Sequence, residues 1–305
     1  MKDTHYRAHI ALFFVNVLYG AGHLIAKGVM PAFLSPSVFI FLRVSGAVVF
    51  FWTISLLLRK TKIQKNDIPR FIVCGIFGVA MNQLFFFHGL NLSSSINSGI
   101  IMSMNPIMVA ILSFFLLKEK PTLLRTCGIL IGATGAVLLT LQGSTQAGES
   151  VLGDVFLFIN AICYAFYLVL VKPLMSKYAP ITVITWVFTF GLFFVCIFPS
   201  TIPDLIETNF LNFPMGIYLK ILYIVVGVTF LTYLLTIYGL KYLSPTISSS
   251  YIYFQPVLVV VFAFLFSYLH WSADYTDTIT LQKMTFMFLI FTGVYLTSIS
   301  SKKTA

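Results

Sequence analysis

Residues 89–114 read GLNLSSSINSGIIMSMNPIMVAILSF, and residues 239–264 read GLKYLSPTISSSYIYFQPVLVVVFAF. Laid over one another without gaps, at an offset of 150, they share seven identities: Gly89/Gly239, Leu90/Leu240, Ser94/Ser244, Ser98/Ser248, Pro106/Pro256, Val109/Val259 and Phe114/Phe264. Chance would give roughly two over such a window, so the excess points to an internal repeat. A second offset, 144, pairs Asn16 with Asn160 and Pro36 with Pro180.

Both stretches are apolar along most of their length, and so is the chain around them. Of 305 residues 59% are hydrophobic and 9% charged, with a mean hydropathy of +0.96. Water-soluble domains carry about 25% charged residues, so lipid is the expected solvent. A helix crosses roughly 30 Å of hydrocarbon in about 20 residues while leaving no backbone group unpaired. Ten runs have that length, approximately 8–29, 37–58, 70–90, 95–117, 122–141, 152–172, 181–200, 215–239, 246–269 and 281–300. The first continues through Leu24 and Ile25 to Val29. That is too long for a cleavable signal peptide and reads as a retained span.

The expected fold is therefore an all-α integral membrane protein of ten transmembrane helices. Its first five-helix repeat covers residues 1–143 and its second residues 152–301, joined by an external linker at 144–151. Five spans are an odd number, so the second repeat enters the membrane from the side opposite to the first. Such inverted repeats let one site near the midplane face each side alternately.

Lys and Arg collect on the cytoplasmic side of membrane proteins. With the N-terminus inside, fifteen of the nineteen share that side, among them Arg59, Arg70, Lys118, Lys172, Lys241, Lys302 and Lys303. Six of the nine acids, Glu149, Asp154, Asp204, Glu207, Asp274 and Asp277, fall on the other. Both termini are thus expected in the cytoplasm of a cell whose plasma membrane, the inner one in bacteria, holds the protein. Topology explains the net charge of +10 without a nucleic-acid partner. Cys74, Cys127, Cys163 and Cys196 lie singly in different runs, with neither metal-ligand nor disulfide spacing. No metal and no cofactor is expected.

Polar groups at membrane depth are costly unless they are paired or face a watery cavity. Asn16, Tyr19 and His23 share one face of the first span, and Asn160, Tyr164 and Tyr167 one face of the sixth. These are either interhelical hydrogen bonds or cavity linings. The fourth and ninth spans set Ser98, Asn105 and Pro106 against Ser248, Gln255 and Pro256. A mid-helix proline frees the carbonyl four residues back, so both prolines are expected to kink their helices beside a substrate site. Arg43 in the second span either snorkels outward or stands as a cavity charge for a carboxylate or phosphate. Asn82, with Gln83 and His88, extends the polar set in the third span, and Tyr233, with Thr229 and Thr236, in the eighth. Trp186 either lines the site or packs. No Asp or Glu lies mid-span, so a coupling proton would fall to His23, whose unperturbed pKa near 6.5 suits it. Gly128, Gly132 and Ala136 at four-residue intervals suit close helix packing in a scaffold.

Tyr19-Gly20-Ala21-Gly22-His23 with Lys27, Leu42-Arg43, and the run from Ser93-Ser94-Ser95 through Pro106 to Lys118-Glu119, followed by Gly128 and Gly135, resemble the EamA-type branch of the drug/metabolite transporter superfamily over essentially the whole chain. Tyr19-Gly20 stands where that family has tryptophan-glycine, and His270 and Trp271 stand near the place of an expected second acid. The resemblance implies a central cavity lined by helices one to four and six to nine, with five and ten as scaffold. It implies a carrier of amino acids, other metabolites or drugs, frequently outward. The expected function is a secondary transporter, not an enzyme, that moves a small polar metabolite such as an amino acid by alternating access. Its partners would be the bilayer, the solute and a counter-ion or proton. A membrane-embedded enzyme, or a receptor or channel using the same cavity, is the alternative; no paired aspartates and no His-Glu-x-x-His run favours the first.

Overall fold

A computed structural model describes residues 2–59, 62–93, 101–102, 104–120, 122–141, 151–269 and 281–299. Ser98, residues 144–150 of the linker with Glu149, the stretch from His270 through Asp274 and Asp277, Lys302 and Lys303 lie outside the described residues, as do the side chains of His23, Lys27 and Pro256. All regular structure among the described residues is helical. The longer helices among the described residues are α1 (Lys2–Lys27), α2 (Pro36–Leu57), α3 (Lys65–Leu92), α4 (Asn105–Leu117), α5 (Leu123–Leu141), α6 (Val151–Lys177), α7 (Pro180–Ile197) and α8 (Met215–Tyr242), with a short helix at Thr201–Glu207 between the last two. Next comes α9, which runs as Pro245–Ser250, tightens to a 3-10 turn at Tyr251–Tyr253 and resumes as Phe254–Tyr268, and then α10 (Leu281–Ile299). Among these, α2, α3, α6, α7 and α8 are long and apolar enough to cross a membrane, while α4, Leu123–Leu138 and Met284–Thr297 are shorter apolar helices.

Helix starts follow local chemistry. Ser35 caps α2 by accepting from Val38 N at 3.3 Å, and Ser244 caps α9 by accepting from Ile247 N at 3.4 Å, each with proline in the first turn. Pro180 likewise opens α7. Pro106 sits in the first turn of α4, where its missing N–H has no intrahelical acceptor to lose, with Ile101 and Met102 helical just before it. In α9 the 3-10 turn at Tyr251–Tyr253 falls just before Pro256, where the carbonyl of Ile252 lacks its donor.

Two further irregularities have no sequence signature. Ile76–Ala80 of α3 and Ile224–Leu231 of α8 are π-helical, and the 150-residue offset lays the first over the second. Thr229 Oγ1 donates to Ile224 O, five residues back, at 2.9 Å.

The packing is reciprocal. Helix α1 lies against α8 and α9, and α6 lies against α3 and α4; α2 meets α8 as α7 meets α3. Between themselves α2 meets α7, and α5 meets α10. Exchanging helices one to five for six to ten leaves this list unchanged. Close approach of α1 is set by glycine: a Cβ on Gly20 would sit 2.8 Å from Leu258 Cβ, and one on Gly22 2.6 Å from Val228 Cγ2. One large core, containing Phe39, Phe51, Phe71, Phe188 and Leu174, fills the α2–α3–α6–α7–α8 side, and a smaller one around Tyr253 and Ile290 joins α5, α9 and α10.

Candidate functional site

Between the two reciprocal sets of helices lies a cavity of about 120 Å³, room for on the order of ten waters. Helices α1, α2, α3, α4, α6, α8 and α9, with Met102 just before α4, contribute side chains to it. Asn16 and Tyr19 of α1, Arg43 of α2, Asn82 of α3 and Asn105 of α4 line it from one half. Asn160 and Tyr164 of α6, Tyr233 of α8, and Ser248 and Gln255 of α9 line it from the other. Ser98 and the side chain of His23 lie outside the described residues.

The polar groups fall into those already engaged and those left open. Asn16 Nδ2 donates to Leu12 O at 2.8 Å, so its Oδ1 is the atom presented, and that atom has no protein partner. Asn105 Oδ1 and Ser248 Oγ are also buried without a partner. Asn160 Nδ2 donates to Asn82 O at 2.6 Å, binding α6 to α3, and Tyr233 Oη donates to Gly78 O at 3.3 Å in the α3 π segment. Tyr19 Oη meets Thr232 Oγ1 at 3.3 Å. Buried polar atoms are normally paired, so unpaired ones around a cavity mark where water or solute belongs.

Arg43 does not snorkel. Its residue is 5% exposed, its Nε donates to Thr229 Oγ1 at 2.9 Å, and its guanidinium lies over the rings of Phe87 at 4.7 Å and Phe39 at 5.5 Å. Among the described residues the ion pairs are Arg125–Glu119 and Lys177–Asp67, neither involving Arg43.

Tyr167 is the exception within the expected set. It is wholly buried and does not line the cavity; a Cβ on Gly78 would fall on its ring. The ring fills the space a side chain at position 78 of α3 would occupy. Trp186 packs as well, 5.4 Å from Trp52 and 5.8 Å from Phe190 by ring centroids. Gln83 and Thr236 do line the cavity, with Phe86, Phe87, Ile224, Val228 and Ile252 as its apolar wall.

One end of the helix assembly is cross-tied. Lys172 Nζ of α6 donates to Leu240 O and, at 2.6 Å, to Leu243 O, where α8 turns into α9. Glu119, two residues past α4, accepts from Arg125 Nη1 of α5 and from Thr246 Oγ1 of α9, both at 3.1 Å. Burial pushes the Glu119 carboxyl above the usual carboxylate range, partly offset by Arg125, by the Thr246 bond and by Lys172. At the opposite end Ser35 Oγ donates to Asp204 Oδ2 at 2.7 Å, and Ser37 bonds Ser200 at 2.6 Å.

The EamA-like transporter family profile matches the chain twice, over residues 7–141 and 151–299. The uncharacterized transporter YyaM of Bacillus subtilis is 27% identical over 269 residues, 85% of this chain and 86% of that one. A WAT1-related protein of Arabidopsis thaliana is 25% identical over 215 residues, 60% of this chain and 58% of its own length. A crystal structure superposes with a TM-score of 0.74 at 18% identity, covering 97% of this chain and 98% of that one, which shows a shared fold.

Proposed function

This chain belongs to the EamA-like transporter family as a multi-pass integral membrane protein, and from that premise we propose that it is a secondary transporter carrying a small polar metabolite through the central cavity. The observation that carries this is the cavity itself, lined from both halves, with the buried Asn16 Oδ1, Asn105 Oδ1 and Ser248 Oγ unpaired around it. In this reading residues 1–143 and 152–301 are inverted five-helix halves, ten helices in all, and both termini are cytoplasmic. The double family match, the reciprocal packing and the π segments of α3 and α8 at the repeat offset support it. The halves rock about the cavity by alternating access. In this reading the cross-tied end, which carries Lys118, Arg125, Lys172 and Lys241, is the cytoplasmic gate, with the Lys172 and Glu119 bonds as its ties. Export is the direction the family implies.

The test is counter-flow in proteoliposomes over a panel of labelled amino acids, hydroxy acids and polyols. Saturable flux is expected for at least one. Asn16→Leu and Gln255→Leu should each lower its initial rate about tenfold, the worth of one or two lost hydrogen bonds, at unchanged folded yield. Absence of flux across the panel, or flux indifferent to both substitutions, would count against the reading.

A further inference from the structure

We infer that the solute is a small hydroxy monocarboxylate of net charge −1, seated by its carboxylate on Arg43. This rests on the transport reading above and narrows it.

Among the described residues lining the cavity, one carries a fixed charge. Arg43 is buried and lines it, while no Asp or Glu stands among the described lining residues. A guanidinium has five N–H donors in a fork that fits a carboxylate with two parallel bonds. Nε is spent on Thr229, and the other donors have no protein acceptor among the described residues. A buried cation without a counter-charge is costly, and removing that cost is the largest electrostatic gain a solute can bring.

Charge arithmetic selects the solute. A monoanion balances the one fixed charge among the described lining residues. A phosphate ester, near −2 at neutral pH, overshoots and leaves a buried negative charge. An amino acid meets Arg43 equally well but adds an ammonium close to the arginine with no acid to receive it, and Phe87's ring is already taken by Arg43. The remaining open groups, which also include Ser248 Oγ and both amide atoms of Gln83, ask for uncharged partners that donate and accept. Asn16 Oδ1 and Asn105 Oδ1 are buried acceptors without a donor, which solute hydroxyls satisfy.

The test uses matched skeletons. Proteoliposomes of the full chain are loaded with glycerate, serine, glycerol and glycerol 3-phosphate, and in a second set with gluconate, glucosaminate, sorbitol and sorbitol 6-phosphate; release is followed by mass spectrometry. The hydroxy acid of at least one set should leave at least tenfold faster than its zwitterionic, neutral and phosphorylated counterparts. Its flux should respond to an imposed membrane potential as one negative charge. Arg43→Gln should reduce it at least tenfold and Arg43→Lys less. Should Arg43→Gln fail to fold, Thr229→Val keeps the charge but frees Nε, and is expected to raise KM for the acid severalfold with kcat held. Zwitterions or polyols moving as fast as the acid would overturn the monoanion assignment and leave the transport reading standing. No movement of any probe by folded protein would overturn both.

Discussion

Replacing Gly293 by leucine is expected to abolish folding of the α5–α10 pair and with it recovery of monodisperse protein from detergent extracts. These two helices touch backbone to backbone. A Cβ on Gly293 would lie 2.5 Å from Gly132 Cα and 2.7 Å from Gly128 O, and one on Gly128 would lie 2.7 Å from Thr297 N. None of these contacts is the flexible end of a side chain, so nothing can give way locally, and the helices must part. Helix association in lipid depends on close packing, because lipid tails are as apolar as leucine and no hydrophobic drive holds a spread pair together. Overpacking alone costs roughly 1–3 kcal/mol, and separating the pair also uncovers the smaller core around Tyr253 and Ile290. Gly216 is the internal control, since a Cβ there meets nothing within 4 Å; Gly216→Ala should leave yield and thermal stability unchanged.

Glu119→Leu should have the next largest effect, for an electrostatic reason. Its carboxylate accepts from Arg125 and Thr246, with Lys172 of α6 contributing charge and Lys118 and Lys120 flanking in sequence. Arg125 is itself 8% exposed, and its Nε has no partner. Leucine would leave that guanidinium without its ion pair, a loss on the order of 3 kcal/mol, read by thermal unfolding in detergent. Glu119→Gln separates charge from shape. Because burial raises the Glu119 pKa, the folded chain holds this proton more tightly than the unfolded one. Stability contributed by that proton is present at low pH and lost as pH rises through the raised value. Acidification therefore steadies the fold while loosening the Glu119–Arg125 tie. Transport should gain from acidification of the cytoplasmic side, and Glu119→Gln should flatten that dependence.

Much of the arrangement was legible beforehand because it rests on composition and spacing. Apolar runs marked the helices, five of which are long and apolar enough to cross a membrane among the described residues. Asn16 with Asn160 and Asn105 with Gln255 were found because a polar amide deep in an apolar run is conspicuous. What escaped has no such contrast. Phe86, Phe87, Ile224 and Val228 line the cavity with residue types that elsewhere face lipid. The π segments shift a hydrogen-bond register without changing residue type, since IFGVA and IVVGVTFL suit an α-helix as well. Tyr167 shares a helical face with Tyr164, and only the approach of α3 at Gly78 separates packing from lining. Lys172 registered as one more cytoplasmic charge, while its role as donor to the α8–α9 corner depends on two distant carbonyls.

The most direct measurement is to lock the gate. In a background with Cys74, Cys127, Cys163 and Cys196 replaced by alanine, cysteines at Glu119 and Thr246 are bridged by a short, reducible bis-thiol linker in proteoliposomes. Alternating access predicts that bridging stops flux and that reductant restores it, while each single cysteine treated the same way keeps the flux it has untreated. Full flux through the bridged protein would contradict it.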